Sequence, residues 1–158
     1  MATTPDAITD QMISLVEDIT PALHAVQKFR AHREEMDFRD WALASPASCL
    51  RRFSITFGGD TPQALVTSGQ LERTEETVEV VVAYPTDFRH GGTQLAGLRK
   101  TISRDAKQIE AAIGVCATDT TLKSLASIFR NDGTSRESAG PVHFGVITFR
   151  VEYARSLA

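Results

Sequence analysis

The segment PVHFGVITFRVEY, residues 141–153, constrains this chain more than any other. Ile147, Phe149, Val151 and Tyr153 share one parity there, while Thr148, Arg150 and Glu152 share the other. Period two is the mark of a strand covered on one face and open on the other. A polar run, 131–140, separates this segment from a second apolar stretch, 122–129, so the chain is expected to close in an antiparallel hairpin with a long, mobile tip. Such a tip suits contact with partners better than chemistry.

A chain of 158 residues has the size of one domain and can bury a sufficient core without disulfides or metals. Its hydrophobic share of 42% and charged share of 23% exclude a disordered chain or a coiled coil. A formal charge of −3 gives no general attraction to nucleic acid or anionic lipid. No stretch approaches the length of an apolar membrane span, and residues 1–10 lack the basic and apolar regions of a signal peptide, so the protein is expected to stay where it is made, in the cytoplasm. Cys49 and Cys116 form no CxxC pair and read as reduced structural thiols.

Along the chain, Thr4-Pro5-Asp6 is a helix start, with Thr4 as cap, Pro5 at the first position and Asp6 at the positive end of the dipole. Ile8, Met12, Leu15, Ile19 and Leu23 form one apolar stripe, and Pro21 ends the regular helix near Ile19. Residues 23–32 read as an edge strand, and 34–48 as a connector with a short turn of helix around Trp41. In LRRFSITFGGD, Arg51, Phe53, Ile55 and Phe57 share one parity, and Gly58-Gly59-Asp60 is expected to stop the strand.

The strongest strand spans 75–84, where Val78, Val80, Val82 and Tyr84 alternate with a second, rather apolar set, so it should be central. The polar stretch 61–73 before it reads as an extended arm or flexible loop. Thr93 can cap a second main helix whose stripe is Leu95, Leu98, Ile102, Ile109 and Ile113, with Arg99, Lys100, Arg104, Lys107 and Glu110 solvating the other side and Gly114 stopping it. The expected class is α+β: an antiparallel or mixed β-sheet with two main helices on one face and long polar hairpin loops.

Chemistry is scarce. Gly91-Gly92-Thr93 before a helix, with Arg89 and His90, could present amides to a phosphate, but no GxGxxG or P-loop pattern accompanies it. His24, His32, His90 and His143 show no metal spacing, and neighbouring carboxylates such as Glu34-Glu35 and Glu75-Glu76 would point apart on a strand. Ser48 and Ser54 lack a nucleophile elbow. No catalytic residue, metal site or cofactor is expected. Arg51, Arg52, Arg99, Lys100 and Arg136 could meet acidic groups on a partner, and Trp41, Phe88 and Tyr153 could anchor an interface.

The succession of an N-terminal amphipathic helix, LRRFSITF, a polar excursion, TVEVVVAYPTD, a helix and the closing SLASIFRNDGTSRESAGPVHFGVITFRVEY resembles the tail terminator family of long-tailed bacteriophages, also called tail completion or minor tail proteins. The resemblance is one of layout over nearly the full chain, and head-closure proteins of the phage neck share much of it. It implies a non-enzymatic virion protein forming a ring, commonly a hexamer. That ring caps the last tail-tube ring, ends tube growth and joins the tail to the head connector, with DNA only as passing cargo. The partners implied are other copies of the chain, the major tail tube protein and the head-closure or connector protein, and no membrane.

Under that resemblance the subunit or tube contacts are expected at Arg51, Arg52, Gln63, Leu65, Val66, Leu71, Phe88, Arg89, Asn131, Asp132, Arg136 and Glu137, and the lumen-facing acids at Glu75, Glu76, Glu79 and Asp87. The competing expectation is a small cytoplasmic α+β enzyme or phosphate- or nucleotide-binding domain using the helix start at Gly91.

Overall fold

The structure is a computed structural model that describes residues 4–23, 27–65, 71–86, 94–114 and 118–156, with side chains left out at 59–72, 94–96, 129–133 and 155–156. Helix α1, Pro5–Glu17, starts as its sequence dictates: the Thr4 side chain accepts from the amide of Ala7 at 3.2 Å. It ends one turn before Pro21, with the Asp18 amide returning to Ser14 O. Its buried stripe is Ile8, Met12 and Val16, while Leu15 and Ile19 pack at the margin. The four-residue step keeps all three on one side of the helix.

The expected edge strand is present but short. Among the described residues of that stretch, which leave out 24–26, only Arg30–Ala31, β1, forms strand, and it runs parallel to the start of β2, Arg52–Leu65. Glu17 holds it to α1 by accepting from the Ala31 amide at 3.2 Å and pairing with Arg33 at 2.9 Å. Helix α2, Phe38–Ala44, capped by Asp37, and a 3-10 turn, Pro46–Ser48, form the connector.

Strand β2 pairs antiparallel with β3, Leu71–Pro85, which pairs antiparallel with β5, Val142–Ser156; β4, Ser127–Ala139, follows on the outside of β5. The spatial order is β1-β2-β3-β5-β4, a mixed sheet whose one parallel pair is at its edge. Helix α3, Gln94–Ile113, and α1 pack on one face together with the short α4, Thr120–Leu125. The α+β class is thus the observed one, and both main helices lie on the same face.

The opposite face is divided. Near α2, Val81, Ala83, Val142, Phe144 and Val146 are buried under Phe38, Ala42 and Cys49. Toward the other end of the strands that face is open. Central β3 is therefore buried on both sides at Val80 to Ala83, as its doubly apolar sequence implies. Each large apolar side chain taken fully from water there stabilises the fold by about 1.5–3 kcal/mol.

Three expectations about where strands end need correction, and all concern polar stretches. Gly58-Gly59-Asp60 does not stop β2; the strand shifts register between Phe57 and Asp60 and continues to Leu65. Gly58 tolerates the shift because a β-carbon there would sit 3.3 Å from Thr77 O. A second shift, between Pro62 and Ala64, accommodates a proline on a strand whose outer edge carries no neighbour past Phe53 among the described residues. The stretch 61–73 is thus mostly paired strand, with 66–70 outside the described residues.

The supposed mobile tip 131–140 is likewise strand. Its pairing shifts between Arg130 and Thr134, and the turn is only Gly140-Pro141. Gly140 takes φ +59, and Thr86 pins the turn from outside, its amide donating to Pro141 O and its hydroxyl to Gly140 O. Gly114 does follow α3, its amide closing on Glu110 O at 2.8 Å. Thr93 and Cys116 lie outside the described residues, whereas Cys49 is fully buried, its sulfur 3.3 Å from Pro46 O.

Candidate interaction surface

Arg51, Arg52, Glu75, Glu76 and Glu137, all expected at contacts or in a lumen, prove to be engaged within the chain, and Arg51 is the clearest correction. It precedes β2 with φ +57, its amide donating to Ala83 O and its carbonyl accepting from Arg30, so the start of the sheet forces it into the left-handed region. Its side chain is fully buried. Nε and Nη2 donate to the two oxygens of Asp105 on α3 at 2.8 and 2.9 Å, Nη1 and Nη2 donate to Gln27 O and Leu23 O, and the guanidinium lies 5.5 Å from the Phe29 ring centroid.

The Tyr84 hydroxyl donates to Asp105 at 2.7 Å. Burial raises the Tyr84 phenol well above its usual range, and the Asp105 charge adds to the rise. This satisfied network ties α3, β3 and the connector together and presents nothing to a partner. Asp105 was detectable only as a carboxylate falling on the stripe of Ile102 and Ile109.

Glu76 is the second correction: it is buried beneath the helices and accepts from the Tyr153 hydroxyl at 2.5 Å, which also removes Tyr153 from the surface. Arg52 lies 5.2 Å over the Trp41 ring, and Glu137 pairs with Arg39 at 3.1 Å while remaining half exposed. Gln63, Leu65, Leu71, Asn131 and Asp132 lie on the described strands, but their side chains are outside the description; Val66, Asp87, Phe88, Arg89 and the Gly91-Gly92-Thr93 start lie outside the described residues altogether.

What the fold leaves open falls into three parts. The first is the pair of sheet edges. Beyond Phe53, β2 has no outer neighbour, and β4 has none along its length among the described residues. Unpaired strand amides and carbonyls are templates for another chain.

The second is the open polar half of the sheet. Register places Thr77 opposite Arg150, Glu79 opposite Thr148 and Glu75 opposite Glu152. The like pair is compensated on the diagonals, Arg73 to Glu152 and Arg150 to Glu75 at 3.8 Å. Glu75 and Glu79 therefore lie on the open face, whereas Glu76 does not.

The third is a groove of about 590 Å³ between α3 and β4, floored by Ile102 and Ala106 and rimmed by Arg99, Lys100, Lys107 and Arg136, with Glu110 the one carboxylate in its described lining. It exists because the shift in β4 brings Thr134 and Arg136 opposite the helix. His143 borders its continuation and has its pKa lowered from 6.5, first by burial and then by the charges of Arg136 and Arg99.

Among the described residues, no cluster of His, Cys, Asp and Glu has the arrangement of a metal site, and no helix is long and apolar enough to cross a membrane. No family model matches the chain, and no curated protein matches it either.

Proposed function

We propose that this chain is a structural ring subunit of the tail-terminator type: copies assemble side to side around a hole, seat on the last ring of a phage tail tube, end its growth and offer their other axial face to the head connector. The observation that carries this reading is the sheet with two different edges left open among the described residues, β2 beyond Phe53 on one side and β4 on the other. Joining unlike edges of successive copies makes a heterologous contact, and heterologous contacts that close on rotation give rings.

The open polar half-sheet supports the same reading. Its arginines, Arg73 and Arg150, are already paired with Glu152 and Glu75, so a lumen lined by it would hold passing DNA phosphates weakly. The ring is a virion component at the head–tail junction and uses no cofactor.

The test is mass in solution together with copurification on tail tubes. A closed ring, free or on tubes, is the expected result. A strictly monomeric protein that neither closes into rings nor associates with tubes sinks the proposal.

A further inference from the structure

The α3–β4 groove has a counterpart on the same molecule. The loop between β1 and α2 carries Glu34, Glu35 and Met36, all exposed, with Met36 52% exposed, one of the two large hydrophobics left in solvent among the described residues. The loop is held in place: a His32 ring nitrogen lies 2.6 Å from Met36 O, and the His32 ring packs 5.3 Å from both Phe38 and Trp41. It thus displays one apolar side chain beside two carboxylates from a fixed base, which lowers the ordering cost of binding.

The groove displays the converse, an apolar floor of Ile102 and Ala106 inside a lining where four cations outnumber one carboxylate, Glu110. Neither Glu34 and Glu35 nor Arg99, Lys100, Lys107 and Arg136 make an ion pair among the described residues. In one copy the two features cannot meet. The loop follows the edge strand β1 and leads into the helix on one face, while the groove borders the opposite edge strand β4 on the α3 face.

We infer that the groove between α3 and β4 receives the Glu34–Glu35–Met36 loop of a second copy of this chain, with Met36 against Ile102 and Ala106 and the two glutamates among Arg99, Lys100, Lys107 and Arg136. The contact is heterologous by construction, because loop and groove are different surfaces of one subunit, and it repeats around a ring. It rests on the ring reading and deepens it by naming side chains that fix which copy edge meets which. Opposed charges give such a contact its register and speed of encounter, and the buried methionine gives it area.

The experiment places a photo-crosslinking amino acid at position 36 and mixes ¹⁵N-labelled with unlabelled protein. The expected cross-links join position 36 to peptides containing 99–107 and carry one label state from each copy. In parallel, Glu34→Lys with Glu35→Lys, and separately Lys100→Glu with Lys107→Glu, should each weaken association by about tenfold or more at low salt, and the chain carrying all four changes should recover it. All four sites are exposed, and circular dichroism melts check that each variant folds.

Cross-links within one copy or to another surface overturn the inference, as do rings unchanged by the charge reversals, and in both cases the ring proposal stands. Duplex DNA binding lost in Lys100→Glu with Lys107→Glu, with ring mass intact, would assign the groove to nucleic acid instead. A wild-type protein that never associates, even on tubes, removes both readings together.

Discussion

Replacing Asp105 by alanine should destabilise this protein more than any surface change, because Asp105 is the counter-charge of a fully buried arginine. Its carboxylate takes two hydrogen bonds from Arg51, at 2.8 and 2.9 Å, and one from Tyr84, at 2.7 Å. Removing one partner of a buried pair costs about 3–5 kcal/mol, since the remaining ion keeps its desolvation penalty and loses its attraction. Against a total stability of about 5–15 kcal/mol for a domain, that is a large fraction.

With a urea slope of about 2 kcal/mol per molar, the midpoint should fall by about 1.5–2.5 M. Urea titrations followed by Trp41 fluorescence and by circular dichroism measure it. Arg51→Met combined with Asp105→Leu removes both charges and keeps volume, so it should be more stable than Asp105→Ala alone. A loss below about 1 kcal/mol in Asp105→Ala, or a double variant no better than the single one, would show that the pair does not hold the fold as its geometry implies.

Three further outcomes follow from neighbouring features. Because the folded-state pKa of Tyr84 is raised, the unfolded chain loses its phenol proton first as pH climbs past about 10, so stability is full below that pH and falls above it; the fall should be smaller in Tyr84→Phe, as read by urea midpoints across pH 9–11. His143 has a lowered pKa, so it protonates in the unfolded chain before the folded one and its contribution is lost as pH drops below 6.5; its NMR titration midpoint should move up in Arg136→Ala, and an unmoved midpoint would contradict a positive groove. Gly145→Ala places a β-carbon 3.0 Å from Ile102 Cγ2 and 3.6 Å from the Tyr84 ring, and should cost about 1–3 kcal/mol in chemical denaturation through overpacking.

The period-two segments 75–84 and 141–153 and the stripe of α3 were legible, since local alternation reports which side of an element meets the core. The Thr4 cap was legible for the same local reason. The polar stretches 61–73 and 131–140 were misread as loops because the ladder is made by backbone groups, which every residue but proline carries in full, and an open sheet face accepts polar side chains. Glycines 58 and 59 read as a stop and act as a bulge, a distinction that depends on whether a partner strand continues.

Of the candidate surface, the basic side of α3 was visible as Arg99, Lys100 and Lys107, but the groove was not, because its second wall comes from a register shift in β4. Composition and periodicity alone established an α+β domain with a central apolar strand and two amphipathic helices. Only tertiary packing decided that Arg51 and Glu76 lie inside while Glu75 and Glu79 lie outside. A charge can be buried only where a distant group compensates it, and the partner of Arg51 lies 54 positions along the chain.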